Sequence, residues 1–471
     1  MPCHVPEGGG AVMQKPPEKR TELFERMPVR QAALTLIVPT VLSQLVMLVY
    51  NMADTWFIGQ TGNPHQVAAV TVTYPVFMMM NAVANLFGIG GSSLISRMLG
   101  RGEEKAGETA SFSLWVAGLT ALFCSIICLV FEDVLLESLG TDAVTMDYAK
   151  GYLFWTVIVG GLPTVLNLVL ANIIRAQGEA EIASAGMSAG GVLNLFLDPF
   201  FIFGLKMGAS GAALATCLSN LVSLLFLAGC YIRHRRESLV RITMFPRGIG
   251  LNEVREICSI GTPAALQIIL AAISNGFLLG LMSSYPVAAI SGLGVMQKVE
   301  SIPFQAIMGI SSGILPLVAY NFASGNRERM RQAVRFALMS GLFCSLVFLV
   351  LCEAFAPEIV RFFIDDAASV ACGAAFVRLR ITALPFITAE FMLIAVFQGI
   401  GGARQSLFLS LFRKGILDLP LMFLAERLFP MYGVMLVQPF MEMTGGMIAL
   451  VMYAHVSREN SSKLNDLSGG N

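Results

Sequence analysis

Charge is scarce in this chain. Only 13% of its 471 residues are Asp, Glu, Lys or Arg, where soluble domains carry about 25%. Hydrophobic residues make up 55%, and the mean hydropathy is +0.71. A soluble core cannot absorb that much apolar sequence, so the composition excludes a soluble globular protein and indicates a polytopic membrane protein. Formal net charge is zero, which removes the positive field that a nucleic-acid binder needs. Histidine is nearly absent: His4, His65, His234 and His455 are all there is. There is no HExxH, no paired Asp suited to a metal, and no Ser with His or Lys inside an apolar run. A membrane-embedded enzyme would lack its catalytic set, and no cofactor is expected. The nine cysteines include no CxxC, and most of them (Cys124, Cys128, Cys217, Cys230, Cys344) lie in apolar runs as small packing residues. The opening MPCHVPEGGGAVMQKPPEKR has no apolar core of about 7–15 residues, so it does not read as a signal peptide.

What is abundant is the long apolar run. About 20 such residues cross a bilayer, and only helices satisfy their own backbone there. Twelve spans are predicted, at 32–58, 67–96, 108–131, 148–174, 182–203, 210–232, 255–283, 287–320, 331–352, 370–398, 405–427 and 432–456. Lys and Arg collect in alternate connections. They are Lys15, Lys19, Arg20, Arg26 and Arg30 before the first span, then Arg97, Arg101 and Lys105, then Arg233, Arg235, Arg236, Arg241, Arg247 and Arg255, then Arg327, Arg329, Arg331 and Arg335. The bias toward the cytoplasmic side puts both termini there.

The chain also repeats itself. VAAV at 67–70 matches VAAI at 287–290, LP at 162–163 matches LP at 384–385, and LDP at 197–199 matches LDLP at 417–420, all offset by 220 to 224 residues. The expected fold is all-α, with twelve transmembrane helices in two six-helix lobes related by a pseudo-two-fold axis along the membrane normal, a transporter architecture. The expected division is a disordered cytoplasmic tail (1–28), an N-terminal lobe (29–233), a cytoplasmic linker (234–254), a C-terminal lobe (255–457) and a cytoplasmic tail (458–471). Pro39, Pro75, Pro163, Pro263, Pro303, Pro316, Pro385 and Pro420 are expected to kink their helices, and the glycines of GIGGSS at 88–93 to pack helices closely.

Ionisable groups inside a bilayer are costly and mark function. Asp54 follows a run with no charge from Gln31 to Ala53, in YNMADTWFIG. VLNLFLDPFF puts Asn194 and Asp198 one turn apart on one face, ahead of Pro199, and GAALATCLSN carries Thr216. These four can share a proton or ligate a hard cation; alternatively, Asp54 lies at the interface and Asn194 and Thr216 only bond neighbouring helices. Lys298, Glu300, Glu390, Arg413, Lys414, Asp418 and Glu442 fall in the C-terminal half. Arg413 with Asp418 and Lys298 with Glu300 are candidate structural pairs; contact with substrate is the alternative.

YNMADTWFIG, VAAV, PVFMMMNAVANLFGIGGSSLISRMLGRG, IIRAQGEA and LNLFLDPFFIFGLKMGASGAALAT together resemble the multidrug and toxic compound extrusion (MATE) transporters, more narrowly their prokaryotic DinF-like and related branch. The resemblance covers about residues 25 to 456. It implies an antiporter that expels amphipathic, often cationic drugs in exchange for H⁺ or Na⁺, as a multi-pass monomer of the cell membrane. It places the coupling-ion site at Asp54, Asn194, Asp198 and Thr216, where Na⁺ would also bind, with Tyr50 beside it and with Glu300 and Glu390 as further ion-site or substrate neighbours. Another branch of the family uses acids in the seventh and tenth helices. In the seventh helix TPAALQIILAAISNGFLLGLM has none, and Glu390 falls about a turn from the position in the tenth, so the N-terminal lobe is the expected site. A flippase for lipid-linked oligosaccharides is the rival of similar shape, but it calls for a more cationic interior than Lys298, Arg413 and Lys414 provide.

Overall fold

The computed structural model describes residues 22–234, 240–243 and 248–468. The disorder expected over residues 1–21 and the linker residues Arg235, Arg236 and Arg247 fall outside them. Among the described residues the chain is helical, without strands. In chain order the helices are α1 (Val29–Gly59), α2 (Pro64–Arg101), α3 (Ala106–Val130), α4 (Ala143–Val159 with Gly161–Ala176), α5 (Ala180–Gly204) and α6 (Ala209–Arg233). The second set is α7 (Leu251–Met282), α8 (Val287–Ala323), α9 (Arg327–Arg361), α10 (Ala367–Ile381 with Leu384–Ile400) and α12 (Tyr432–Val456). Between α10 and α12 lies α11, in three pieces: Ala403–Leu411, a π-turn Phe412–Ile416, and Asp418–Leu428.

Nine of these are long and apolar enough to span a bilayer, and the bent pairs α4 and α10 raise the number to eleven. The remaining predicted span, the eleventh at 405–427, is α11. No piece of it reaches spanning length, because Arg413, Lys414 and Asp418 sit at its break. The bends in α4 and α10 are near-copies, 44° and 46°, and each follows a break just ahead of Pro163 or Pro385 in the repeated LP pair. Proline lacks the N–H that would carry the helix ladder across the break. Directly after Pro199 the helix winds into a π-turn, Phe200–Gly204. Asp142 caps α4 by accepting from the Thr145 N–H at 2.6 Å, and one repeat later Asp366 caps α10 through Ser369 at 2.8 Å. Bonding of the charged form to Thr145 or Ser369 holds both carboxyls below the usual carboxylate range.

The two lobes meet in a symmetric exchange: α1 packs on α8, and α2 packs on α7. The α2–α7 seam is closed to van der Waals contact by glycine. A Cβ on Gly90 would stand 2.3 Å from the Ile257 carbonyl oxygen, and one on Gly261 would stand 1.8 Å from that of Leu86. Close packing by the GIGGSS glycines is therefore observed. Polar contacts extend the seam: Ser93 Oγ donates to the Gln398 carbonyl at 2.5 Å, and the Arg97 guanidinium pairs with Glu256. These contacts all lie in the half of the helices next to the face from which α1 starts.

The tail expected to be disordered through residue 28 is not so at its end. Glu22–Arg26 forms a π-turn with Leu23 and Phe24 buried. The Arg329 side chain donates to the carbonyls of Phe24 (2.6 Å) and Leu23 (3.0 Å), Phe24 stacks on Tyr320 with ring centroids 4.6 Å apart, and Tyr320 donates to Glu25 at 2.6 Å. Leu23 and Phe24 also lie against Gly178, between α4 and α5. An aromatic, an aliphatic and two carbonyls thus strap one lobe to the other. At the other end the last helix continues past the predicted span, through Ser468.

Gly261→Val drives a branched side chain into the Leu86 carbonyl. The expected cost is about 1–3 kcal/mol of stability, read as a lower thermal midpoint for the detergent-purified protein, whereas Gly276→Ala, in open space on the same helix, leaves it nearly unchanged.

Candidate functional site

The structure brings the four N-lobe residues together. Gly191 on α5 is the local reason: a Cβ there would be 2.9 Å from Val46 and 3.0 Å from the Tyr50 ring. Bare backbone at that point lets α1 lie against α5. The next turns of the two helices then place Asp54 opposite Asn194 and Asp198. Asn194 Nδ2 donates to Asp198 Oδ1 at 3.2 Å and reaches Thr216 Oγ1 on α6 at 3.4 Å. Asn194 and Asp198 are almost fully buried, at 1% and 0% exposure. Asp54 is within electrostatic reach of Asp198, and Tyr50 and Tyr152 of both acids.

What the cluster lacks is as informative. Asp54 Oδ1, Asn194 Oδ1 and Asp198 Oδ2 are buried without a hydrogen-bond partner. All three are acceptors. Two carboxylates and an amide oxygen close together in low-dielectric surroundings repel each other, and a proton or a hard cation relieves that repulsion. Tyr152 was not singled out from the sequence. It sits in an apolar stretch of α4, GYLFW, with no spacing that relates it to Asp54.

Glu300 and Glu390 are not brought to this cluster. Both belong to a charge network within the C-lobe, and its pairing differs from the expected one. Glu300 takes Arg380 at 2.7 Å rather than Lys298. Arg413 takes Glu442 rather than Asp418, with Nε 2.9 and 2.8 Å from its two oxygens, and lies 3.9 Å from Glu390. Lys414 is 3.9 Å from Glu442, and the Arg413 guanidinium stands over the Phe391 ring at 4.4 Å. Asp418 accepts from Ser274 on α7. Sequence separation hid these partners: an i, i+5 spacing puts Arg413 and Asp418 on different faces of an α-helix, and Glu442 lies 29 positions from Arg413. Glu390 is fully buried with neither oxygen bonded.

The MatE family model matches residues 39–200 and again residues 263–424. The multidrug export protein MepA of Staphylococcus haemolyticus is 29% identical over 412 residues, spanning 87% of this chain and 90% of that one. MepA of Staphylococcus saprophyticus is 27% identical over 413 residues, with the same shares. An outward-facing multidrug resistance MATE family transporter of the MOP superfamily superposes with a TM-score of 0.88 at 26% identity, covering 96% of this chain and all of the other.

The C-lobe pairing makes its own prediction. Arg413→Gln strands Glu442, its bonded partner, in the bundle interior and should cost about 3–5 kcal/mol, seen as a lower thermal midpoint in detergent. The double change Arg413→Gln with Glu442→Gln should recover most of that loss, because the uncompensated charge goes with it.

Proposed function

Because the chain belongs to the MATE family of membrane transporters, we propose that it is a secondary active efflux antiporter of the cell membrane. It exports amphipathic, often cationic drugs or other toxic organic compounds by alternating access, in exchange for H⁺ or Na⁺. Asp54, Asn194, Asp198 and Thr216 hold the coupling ion, and Tyr50 flanks them. The lobes span residues 29–233 and 255–457, both termini face the cytoplasm, and the working unit is a monomer.

The observation that carries the coupling half of this reading is the set of unpartnered oxygens. In this cluster the atoms left over are acceptors only, on Asp54, Asn194 and Asp198, and a proton or a cation is the partner that suits them. Without it, the pair of acids is a costly arrangement; with it, α1 and α5 are drawn together, and a movement of α1 is linked to ion occupancy. The export half is supported by the two MepA proteins, each a multidrug export protein by name. The chain's 26 Met and 32 Phe suit a surface that repacks around varied apolar cargo.

The test is reconstitution in liposomes with a pH gradient and a Na⁺ gradient imposed separately while efflux of a cationic dye is followed. Whichever gradient drives wild-type efflux, Asp54→Asn and Asp198→Asn should each reduce it to the protein-free leak while the protein still inserts. Gradient-driven efflux at the wild-type rate by the Asp54→Asn protein would overturn the assignment of the site.

A further inference from the structure

A second set of unpartnered polar atoms has the opposite character. Between the lobes, next to the closed α2–α7 seam, lies a cavity of about 40 Å³. It is lined from the N-lobe by Ser92, Asn172 and Arg175 and from the C-lobe by Gln267, Ser311 and Gln398. Arg175 is 6% exposed. Its Nη1 reaches Asn172 Oδ1 at 3.4 Å, its Nη2 rests on the Met187 sulfur at 2.7 Å, and its Nε–H has no partner. Gln267 Nε2 is likewise buried without an acceptor. Among the described residues no carboxylate lies within ion-pair distance of Arg175; buried Arg97, Arg380 and Arg413 each have one, and buried Arg329 has two backbone carbonyls.

Burying a guanidinium without a counter-charge is strongly unfavourable, and an amide and a thioether only partly offset it. A water molecule can accept from one donor but brings no charge. The leftover atoms are donors, they come from both lobes, and the net charge facing the cavity is positive. We infer that Arg175 and Gln267 form a binding subsite for a compact anionic group, a carboxylate or a halide-sized ion, between the two lobes. The volume admits such a group and nothing as large as a drug ring system, so in this state the subsite holds one end of a larger molecule or a free small anion. Because its donors are divided between the lobes, parting of the seam takes them away from each other. The anionic group is therefore held tightly only when this face is closed.

The source of the anion divides into two cases, the carboxylate of a zwitterionic cargo or an inorganic anion such as chloride. The cargo case rests on the efflux reading; the inorganic case does not. The experiment uses a matched pair of dyes in proteoliposomes: rhodamine B, which carries a carboxylate beside its cationic ring system, and its ethyl ester, which lacks the carboxylate. In parallel, chloride is titrated against bulky isethionate at constant ionic strength, with the thermal midpoint of the purified protein as readout. If cargo supplies the carboxylate, Arg175→Gln and Gln267→Met should each slow rhodamine B efflux by about tenfold, the scale of a lost charged hydrogen bond, and leave the ester unaffected. Arg175→Lys should restore part of the rhodamine B rate. If the anion is free, chloride should raise the midpoint of the wild type and not that of either variant, with both dyes handled alike. Equal handling of both dyes by all proteins together with no chloride effect would overturn the subsite. So would a parallel loss of both dyes with a midpoint insensitive to chloride, which marks Arg175 as structural. A wild type that moves neither dye counts against the efflux reading alone, and the chloride titration then decides the subsite.

Discussion

Inside a bilayer a polar atom has no water to turn to, so its partner must come from the protein or from a ligand. The backbone meets this demand by helix formation, and most hydroxyls meet it within their own helix. Thr40, Thr73, Thr120 and Ser345 each donate to the carbonyl one turn earlier, at 2.7 to 2.8 Å. With so much of the polar inventory closed locally, the atoms left over in two places stand out, and those two places differ in sign. The N-lobe cluster at Asp54, Asn194 and Asp198 leaves acceptors only, whereas Arg175 and Gln267 between the lobes leave donors only. In the C-lobe Arg413 and Lys414 stand against Glu390, Glu442 and Asp418, two cations against three acids, and the excess falls on Glu390, whose oxygens are both unbonded. A pair of sites with opposite polarity, one within a lobe and one between lobes, is what a protein needs if a cation and an anionic group are to be bound under different conformational conditions.

Much of the architecture was legible because it is periodic and redundant. Hydrophobic length marked the spans, and the VAAV, LP and LDP repeats marked two equivalent halves. The structure returns that equivalence as matched bends in α4 and α10 and matched caps at Asp142 and Asp366. Asp54 and Asp198 were conspicuous in the sequence for the same reason that they are expensive, as carboxylates in oily runs, and the structure gathers Asn194 and Thr216 beside Asp198. The charges of the C-lobe were as conspicuous, but their partners were not. Arg413 finds Glu442 across 29 positions of chain, and the π-turn that aims it there leaves no mark on the hydrophobic pattern. Arg175 escaped notice because an arginine at the end of a span reads as a topology signal. Only the cavity around it shows that its charge is buried.

The same double use runs through the basic residues of the closed face. Arg97 and Arg329 counted as markers of the cytoplasmic side, yet Arg97 bridges the lobes to Glu256 and Arg329 fastens the strap at Leu23 and Phe24. Their placement suits an interface that has to open. The deep part of the seam is carbonyl against glycine, a contact with strong shape specificity and little polar investment, so separating it exposes no buried charge. The charged part lies at the edge, where Glu256 keeps 37% of its side chain exposed, and water that enters as the lobes part solvates both ions at once. Arg97 keeps only 5% of its side chain exposed, so opening the seam also returns its guanidinium to water. A seam fastened in this way is held shut by fit and by contacts at its edge, and a change in the occupancy of a polar site can tip it.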